Sequence, residues 1–302
     1  MTSLPFVDLW TEMWGVRAGL GLALGATVGA FAATAALRLA ASRQAALQQG
    51  LLHQDLWPQA ISPNPSTGMT LTPPTSEKVS RDTKSADLQA FGLQSLRGRS
   101  RCDGCGRTLN FSETVPILSF LALGGSCRSC GAEIDRLHFV SEIIGALALS
   151  TCLVMMPGLD GLLTGLLSLC LLISVLIDIK TLTLPDGVTA LIGILAFSLA
   201  VLNDHLLVNL LGAGLAFAVL YVLKLVLELK HNRAMLGLGD IKLTSALALG
   251  LGVKTPVMLL VAAILGLVFI GVSKRKDLIP FGPMIGIASF VVGVFIPEGW
   301  LA

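Results

Sequence analysis

Eight long apolar runs alternate with polar segments along the chain. They cover roughly Val16–Ala40, Leu137–Met156, Leu159–Leu184, Val188–Leu202, Leu206–Leu229, Ala234–Val253, Thr255–Ser273 and Phe281–Ile296. About 20 apolar residues suffice for a helix to cross a bilayer. The pattern therefore predicts an all-α polytopic membrane protein with about eight transmembrane helices. One long polar segment, Ala41–Arg136, separates the first run from the second. Its first part, about Ser42–Gly98, is rich in Gln, Ser, Thr and Pro and shows no sustained period, so it is expected to be a disordered insertion. The expected division is residues 1–41 as the first span, 42–98 as the insertion, 99–136 as a metal-binding loop and 137–302 as a seven-span membrane domain.

Composition reinforces the membrane reading. The 302 residues are 54% hydrophobic and 13% charged, with a mean hydropathy of +0.79, well outside the soluble range. Asp8 and Glu12 precede the first run, which is too long for a signal-peptide core, so no cleavable signal is expected. Gly19, Gly21, Gly25 and Gly29 in that run suit close helix packing in lipid. The net charge of +2 says little, whereas the placement of basic residues says more. Ten Lys/Arg lie in Ala41–Arg136; Lys180, then Lys230 and Arg233, then Lys274-Arg275-Lys276 mark every second turn after it. The intervening turns at Pro157-Gly158 and Asn203-Asp204 carry none, and the one at Lys254 carries one. By the positive-inside rule the basic segments face the cytoplasm and both termini face outward.

Two CxxC pairs stand in the polar segment, Cys102-Asp103-Gly104-Cys105 and Cys127-Arg128-Ser129-Cys130, each followed by a glycine. Four thiolates at this spacing predict a closed tetrahedral Zn²⁺ site of structural type. Two disulfides are the alternative, disfavoured in a reducing cytoplasm.

Asp178 and Asp240 are the acids that matter most. Each sits in an apolar run, and each is followed two residues later by a lysine, Lys180 or Lys242. An intramembrane carboxylate is costly and marks a functional site by default. Gly237 and Gly239 clear side-chain bulk before Asp240, and Pro185-Asp186 stops the run that holds Asp178. Counted from Leu184 and from Ala234, both acids lie six residues inside, about 9 Å below one membrane face if helical that far. Two carboxylates brought together share a proton and can act as general base and general acid on a peptide bond. Glu142 is a third intramembrane acid, placed either beside this site or in a structural hydrogen bond. Lys180 and Lys242 either snorkel to the interface or set positive charge against the aspartates. No Ser/His pairing or HExxH competes, and nothing suggests a nucleic-acid partner.

These blocks, in this order, resemble the type IV prepilin peptidases. Gly29-Ala30-Phe31 with Arg38-Leu39, the Cys102–Cys130 loop with Val115-Pro116-Ile117-Leu118-Ser119, Ser141-Glu142, Asp178 with Leu184-Pro185-Asp186, Gly237–Lys242 and Ile279-Pro280-Phe281-Gly282-Pro283 carry the resemblance. It implies eight spans in a bacterial inner membrane, catalytic roles for Asp178 and Asp240, and removal of the basic leader of prepilins or pseudopilins after a glycine. Many members also methylate the new amino terminus, which makes S-adenosylmethionine an expected cofactor. Ala33 and Ala40 stand where the family usually has Asn and Pro. Other Gly-x-Gly-Asp intramembrane proteases and proton-coupled transporters are the competing classes.

Overall fold

The computed structural model describes residues 13–56, 100–102, 104–156, 158–231, 236–273 and 280–296. Nine α-helices occur among them: α1 (Trp14–Leu56), α2 (Leu118–Ala122), α3 (Arg136–Met155), α4 (Leu159–Thr181), α5 (Asp186–Leu202), α6 (Leu206–His231), α7 (Leu238–Leu251), α8 (Thr255–Ser273) and α9 (Gly282–Phe295). No strand forms among the described residues, only two isolated bridges. Apart from the short α2 and the continuation of α1 past Ala40, the helices follow the eight apolar runs.

Five stretches are long and apolar enough to cross a membrane. One of these, Leu238–Val272, is broken into α7 and α8. The break is built by Gly252, at φ +52°, and by Asn209 of α6, whose amide donates to the Leu249 carbonyl at 2.9 Å. Together they accommodate a carbonyl that the interrupted helix leaves without an amide partner. α5 and α9 are shorter apolar helices. The chain is an integral membrane protein.

Cross-links fix which helix ends lie together. At one end, Lys180 in the last turn of α4 pairs with Asp135 before α3, Lys242 of α7 pairs with Asp186 of α5, and the start of α9 meets Asp178 of α4. At the far end, Asn203 meets Asp160, and Ser150 of α3 donates to the Ala18 carbonyl of α1. The helices therefore alternate in direction as the sequence predicts.

α4 is the axis of the bundle. It packs on α1, α3, α5 and α9. Leu167, Cys170 and Leu171 join the larger apolar core with residues of α5, α7, α8 and α9. Leu172, Leu176 and Ile177 pack instead against Ala32 and Ala36 of α1. α1 and α3 touch backbone to backbone: any Cβ on Gly21, Gly25 or Gly29 would collide with Ser150, Gly145 or Ser141. This four-residue spacing is how small residues let helices approach in lipid. Gly19 takes no part, with open space around it.

The backbone of α1 stays helical to Leu56, well past the expected end of the first span near Ala40. The rest of the expected insertion, residues 57–98, lies outside the described residues, as do Asp8, Glu12, Arg99, Asp103, Arg233 and Lys274-Arg275-Lys276.

Candidate functional site

The two CxxC segments fold as matching knuckles. In the first, the Cys102 N–H donates to the Arg107 carbonyl at 2.9 Å and the Gly106 N–H to the Cys102 carbonyl at 2.8 Å. In the second, Cys127 and Ala132 are joined at 2.8 Å, and Gly131 and Cys127 at 2.9 Å. Gly106 and Gly131 have φ of +69° and +72°, the left-handed region that favours glycine. The turns bring all four sulfurs within 4.8 Å of one another. Cys102 and Cys130 are 3.7 Å apart at sulfur, and none of the six cysteines is in a disulfide. A tetrahedron with Zn–S near 2.3 Å has sulfurs about 3.8 Å apart, so the donor set fits Zn²⁺. Backbone N–H groups of Ser129 and Cys130 hold the Cys127 thiol down to about 6. Cys130 receives the Ala132 N–H, yet hydrogen bonds with Cys127 and Cys105 take it up to about 11. Part of the sulfur set is thus disposed to be thiolate, the form a metal binds.

The knuckle module rests on the helix ends. Glu113 accepts from the Asn110 N–H at 2.8 Å and pairs with Arg107 at 2.7 Å, and both contacts hold its carboxyl below the ordinary range. Phe120 of α2 stacks on Phe139 of α3, with centroids 4.6 Å apart. The Ile117 N–H donates to Glu142 Oε2 at 2.6 Å. Glu142 thus serves as a structural acceptor that ties the module to the start of α3. Of the two placements left open by the sequence, this is the hydrogen-bonding one.

Beside the module, at the same end of the bundle, stand the two aspartates. α4 ends at Thr181, because Leu182 turns into the left-handed region at φ +52° while its N–H still bonds to the Asp178 carbonyl. α7 starts at Leu238 with Gly237 as its N-cap, which puts Asp240 in the first turn. The expected depth of six helical residues is therefore corrected to about three on each helix. The two acids remain level, roughly 4.5 Å in rather than 9 Å. Asp178 is buried, at 5% exposure, and Asp240 is half-buried. Asp178 accepts the Gly282 N–H at Oδ2, at 3.0 Å.

The glycines before Asp240 have distinct neighbours. A Cβ on Gly239 would stand 3.1 Å from the Leu184 Cβ, so this glycine lets the 182–185 linker lie against the start of α7. A Cβ on Gly237 would stand 3.1 Å from Asp240 Oδ2. The lysines are taken up elsewhere. Lys180 reaches Asp135 at 3.7 Å, and Lys242 reaches Asp186 at 2.8 Å. Asp186 is exposed but shares its charge with Lys242. Sequence reasoning assigned no role to Gly282 or Asp135. A glycine between Phe281 and Pro283, just where an apolar run begins, was the one signal available for the first.

The family model of the bacterial peptidase A24 N-terminal domain matches residues 23–156. That of the type IV leader peptidase family matches residues 165–271. The chain is 33% identical over 205 residues to a prepilin leader peptidase/N-methyltransferase of Vibrio cholerae serotype O1, covering 65% of this chain and 81% of that one. It is 32% identical over 221 residues to the protein of that name from Aeromonas hydrophila, covering 70% and 75%. The Dichelobacter nodosus protein of that name is also 32% identical over 221 residues, covering 68% and 74%. No solved structure matches the chain. With both halves matched in order and four-fifths of a relative covered, the chain belongs to the type IV leader peptidase family.

Proposed function

We propose that this chain is a membrane aspartic endopeptidase that removes the leader peptide of type IV prepilins or pseudopilins, with Asp178 and Asp240 as its catalytic pair. The observation that carries the reading is that the end of α4 and the start of α7 lie together at one end of the bundle, each with an acid in its terminal turn, Asp178 and Asp240, 62 residues apart in sequence. In this mechanism one carboxylate takes a proton from water as the water oxygen attacks the scissile carbonyl carbon. The other, protonated, supports the developing oxyanion. As the C–N bond breaks, the nitrogen takes up a proton from the pair and leaves as the new amino terminus. Gly237 leaves room beside the Asp240 carboxylate, and Gly239 lets the 182–185 linker pack against the start of α7. The relatives' shared name supports the substrate class.

Cys102, Cys105, Cys127 and Cys130 hold Zn²⁺ in this reading, with four thiolates and no open position, so the ion supplies folding free energy rather than chemistry. The distribution of basic residues supports a cytoplasmic placement of this end in a bacterial inner membrane. Residues 42–98 are an insertion into the loop between the first span and the zinc module, and 137–302 form the catalytic membrane domain. The relatives' names also support methylation of the new amino terminus. S-adenosylmethionine is the donor for that second reaction, and no residue is assigned to it. A basic leader seeks anionic contacts. Asp186 lies near the pair, its charge shared with Lys242, while Glu142 is committed to Ile117.

The test is cleavage of a purified prepilin by the full chain in liposomes, with the product terminus read by mass spectrometry. Wild type should cut after the leader glycine, and Asp178→Asn and Asp240→Asn should each be inactive while still inserting. Full activity in either variant rules the mechanism out.

A further inference from the structure

We propose that Gly282 is the positioning residue of the aspartate pair: its backbone N–H clamps one oxygen of Asp178, so that the other is aimed at the reacting water. This rests on the peptidase reading above and adds a residue to it.

The first argument is about donors. The opening N–H groups of a helix have no partner within it. At the start of α9, Pro283 has no N–H to offer. The Met284 and Ile285 amides bond back to the Phe281 carbonyl, at 3.1 and 3.2 Å. Gly282 is the donor of this turn that goes elsewhere, and it goes to Asp178 Oδ2 at 3.0 Å, across 104 residues of sequence and away from solvent.

The second argument is about space. A Cβ on Gly282 would stand 2.6 Å from Asp178 Oδ2, 3.1 Å from its Cγ and 3.3 Å from its Cβ. Any side chain at 282 therefore displaces the carboxylate. The backbone of Asp178 is in turn held by the Leu182 N–H on its carbonyl at 2.8 Å, so the movement falls on the side-chain torsions. Gly286, one turn further along α9, faces a different neighbour. A Cβ there would meet Val175 Cγ2 at 2.7 Å and would not touch the aspartate. One helix pair thus holds two tight glycines, one against the carboxylate and one against packing alone.

The chemistry follows from the clamp. A free carboxylate rotates about its last torsion and presents either oxygen. With Oδ2 tied, the plane of the carboxylate is set and Oδ1 is the oxygen presented to water. Misplacement of a reacting group by about 1 Å costs on the order of 100-fold in rate.

Three variants of the full chain in liposomes, assayed on a purified prepilin, separate positioning from packing. Gly282→Ala should lower kcat by about 100-fold, leave KM within about threefold, and alter the pH profile of kcat. Replacing the Gly282 amide by an ester, through glycolic acid in cell-free translation, deletes the N–H without adding an atom and should lower kcat by about tenfold, as expected for removal of one hydrogen bond. Gly286→Ala should lower Tm but keep kcat and its pH profile. The hydrogen bond also has a readout independent of turnover: hydrogen exchange at the Gly282 amide should be slow in wild type and fast in Asp178→Ala. Wild-type kcat in the ester variant overturns the proposal, as does an equal drop in both alanine variants with an unchanged pH profile. If wild type fails to cut prepilin, the peptidase reading falls. Amide exchange unaffected by Asp178→Ala then rejects the clamp, and slow exchange that disappears in that variant retains it.

Discussion

Replacing Glu142 by alanine should release the zinc module from the membrane helices while leaving the metal in place. The substitution removes a 2.6 Å hydrogen bond from the Ile117 N–H to a side chain that is itself 8% exposed. A hydrogen bond to a carboxylate contributes about 1.5–3 kcal/mol. It holds Ile117 at φ +62°, a conformation that costs a β-branched residue about 1–3 kcal/mol. Without the carboxylate that backbone relaxes, and the ties that remain are the Phe120–Phe139 stack, about 0.5–1.5 kcal/mol, and the weaker, partly exposed Lys180–Asp135 pair. The lost hydrogen bond, partly offset by the relaxation of Ile117, should lower the docking equilibrium constant by roughly tenfold, at 1.36 kcal/mol per decade. The assay is hydrogen exchange by mass spectrometry on the zinc-loaded protein. Amides of Thr114–Leu123 should exchange about ten times faster in Glu142→Ala, with one zinc still bound. Glu142→Gln keeps an acceptor oxygen and should fall between the two. Unchanged exchange in Glu142→Ala would refute the reasoning and place the hold of the module on the stack or on the Lys180–Asp135 pair.

Cys127→Ser should lose the zinc and open the second knuckle, read as metal content and protease resistance, since a structural ion contributes folding free energy directly. Retained zinc at full occupancy would contradict the four-thiolate site. Glu113 gives a pH test. Its carboxyl is held below the ordinary range by the Asn110 N–H and Arg107, so its contribution is complete above the unfolded value and drains away as pH falls through the folded one. Glu113→Gln should flatten the acid dependence of module protection, and an unaltered acid profile would remove Glu113 from the account.

The membrane architecture was legible because burial in lipid demands a plain signal, about 20 apolar residues per crossing. The four-cysteine cluster, which could hold a metal ion, was legible because ligand spacing in two short turns is local information. Gly21, Gly25 and Gly29 could be read as helix contacts, but their partners on α3 could not. The depth of the aspartates was misjudged for a physical reason. α4 ends where Leu182 adopts a left-handed conformation, and leucine does not announce such a turn as glycine would. The fates of Lys180, Lys242 and Glu142 were set by residues 45, 56 and 25 positions away, Asp135, Asp186 and Ile117. Pairings of that range belong to the tertiary fold. The Gly282 hydrogen bond, 104 residues distant, is the extreme case.

The length of α1 sets a problem of reach. From Arg38 to Leu56 the chain advances 18 helical residues, about 27 Å at 1.5 Å each. Yet Ser100 lines the same cavity as Arg38, of about 240 Å³, beneath the knuckle module. The 43 residues from 57 to 99 must cover that return. Fully stretched, about eight would do so. The tether is therefore several times longer than its span requires. Chain length in this connection thus leaves the register of Cys102 and Cys105 unconstrained. An unusually long connection can sit in this loop while the two knuckles keep their register.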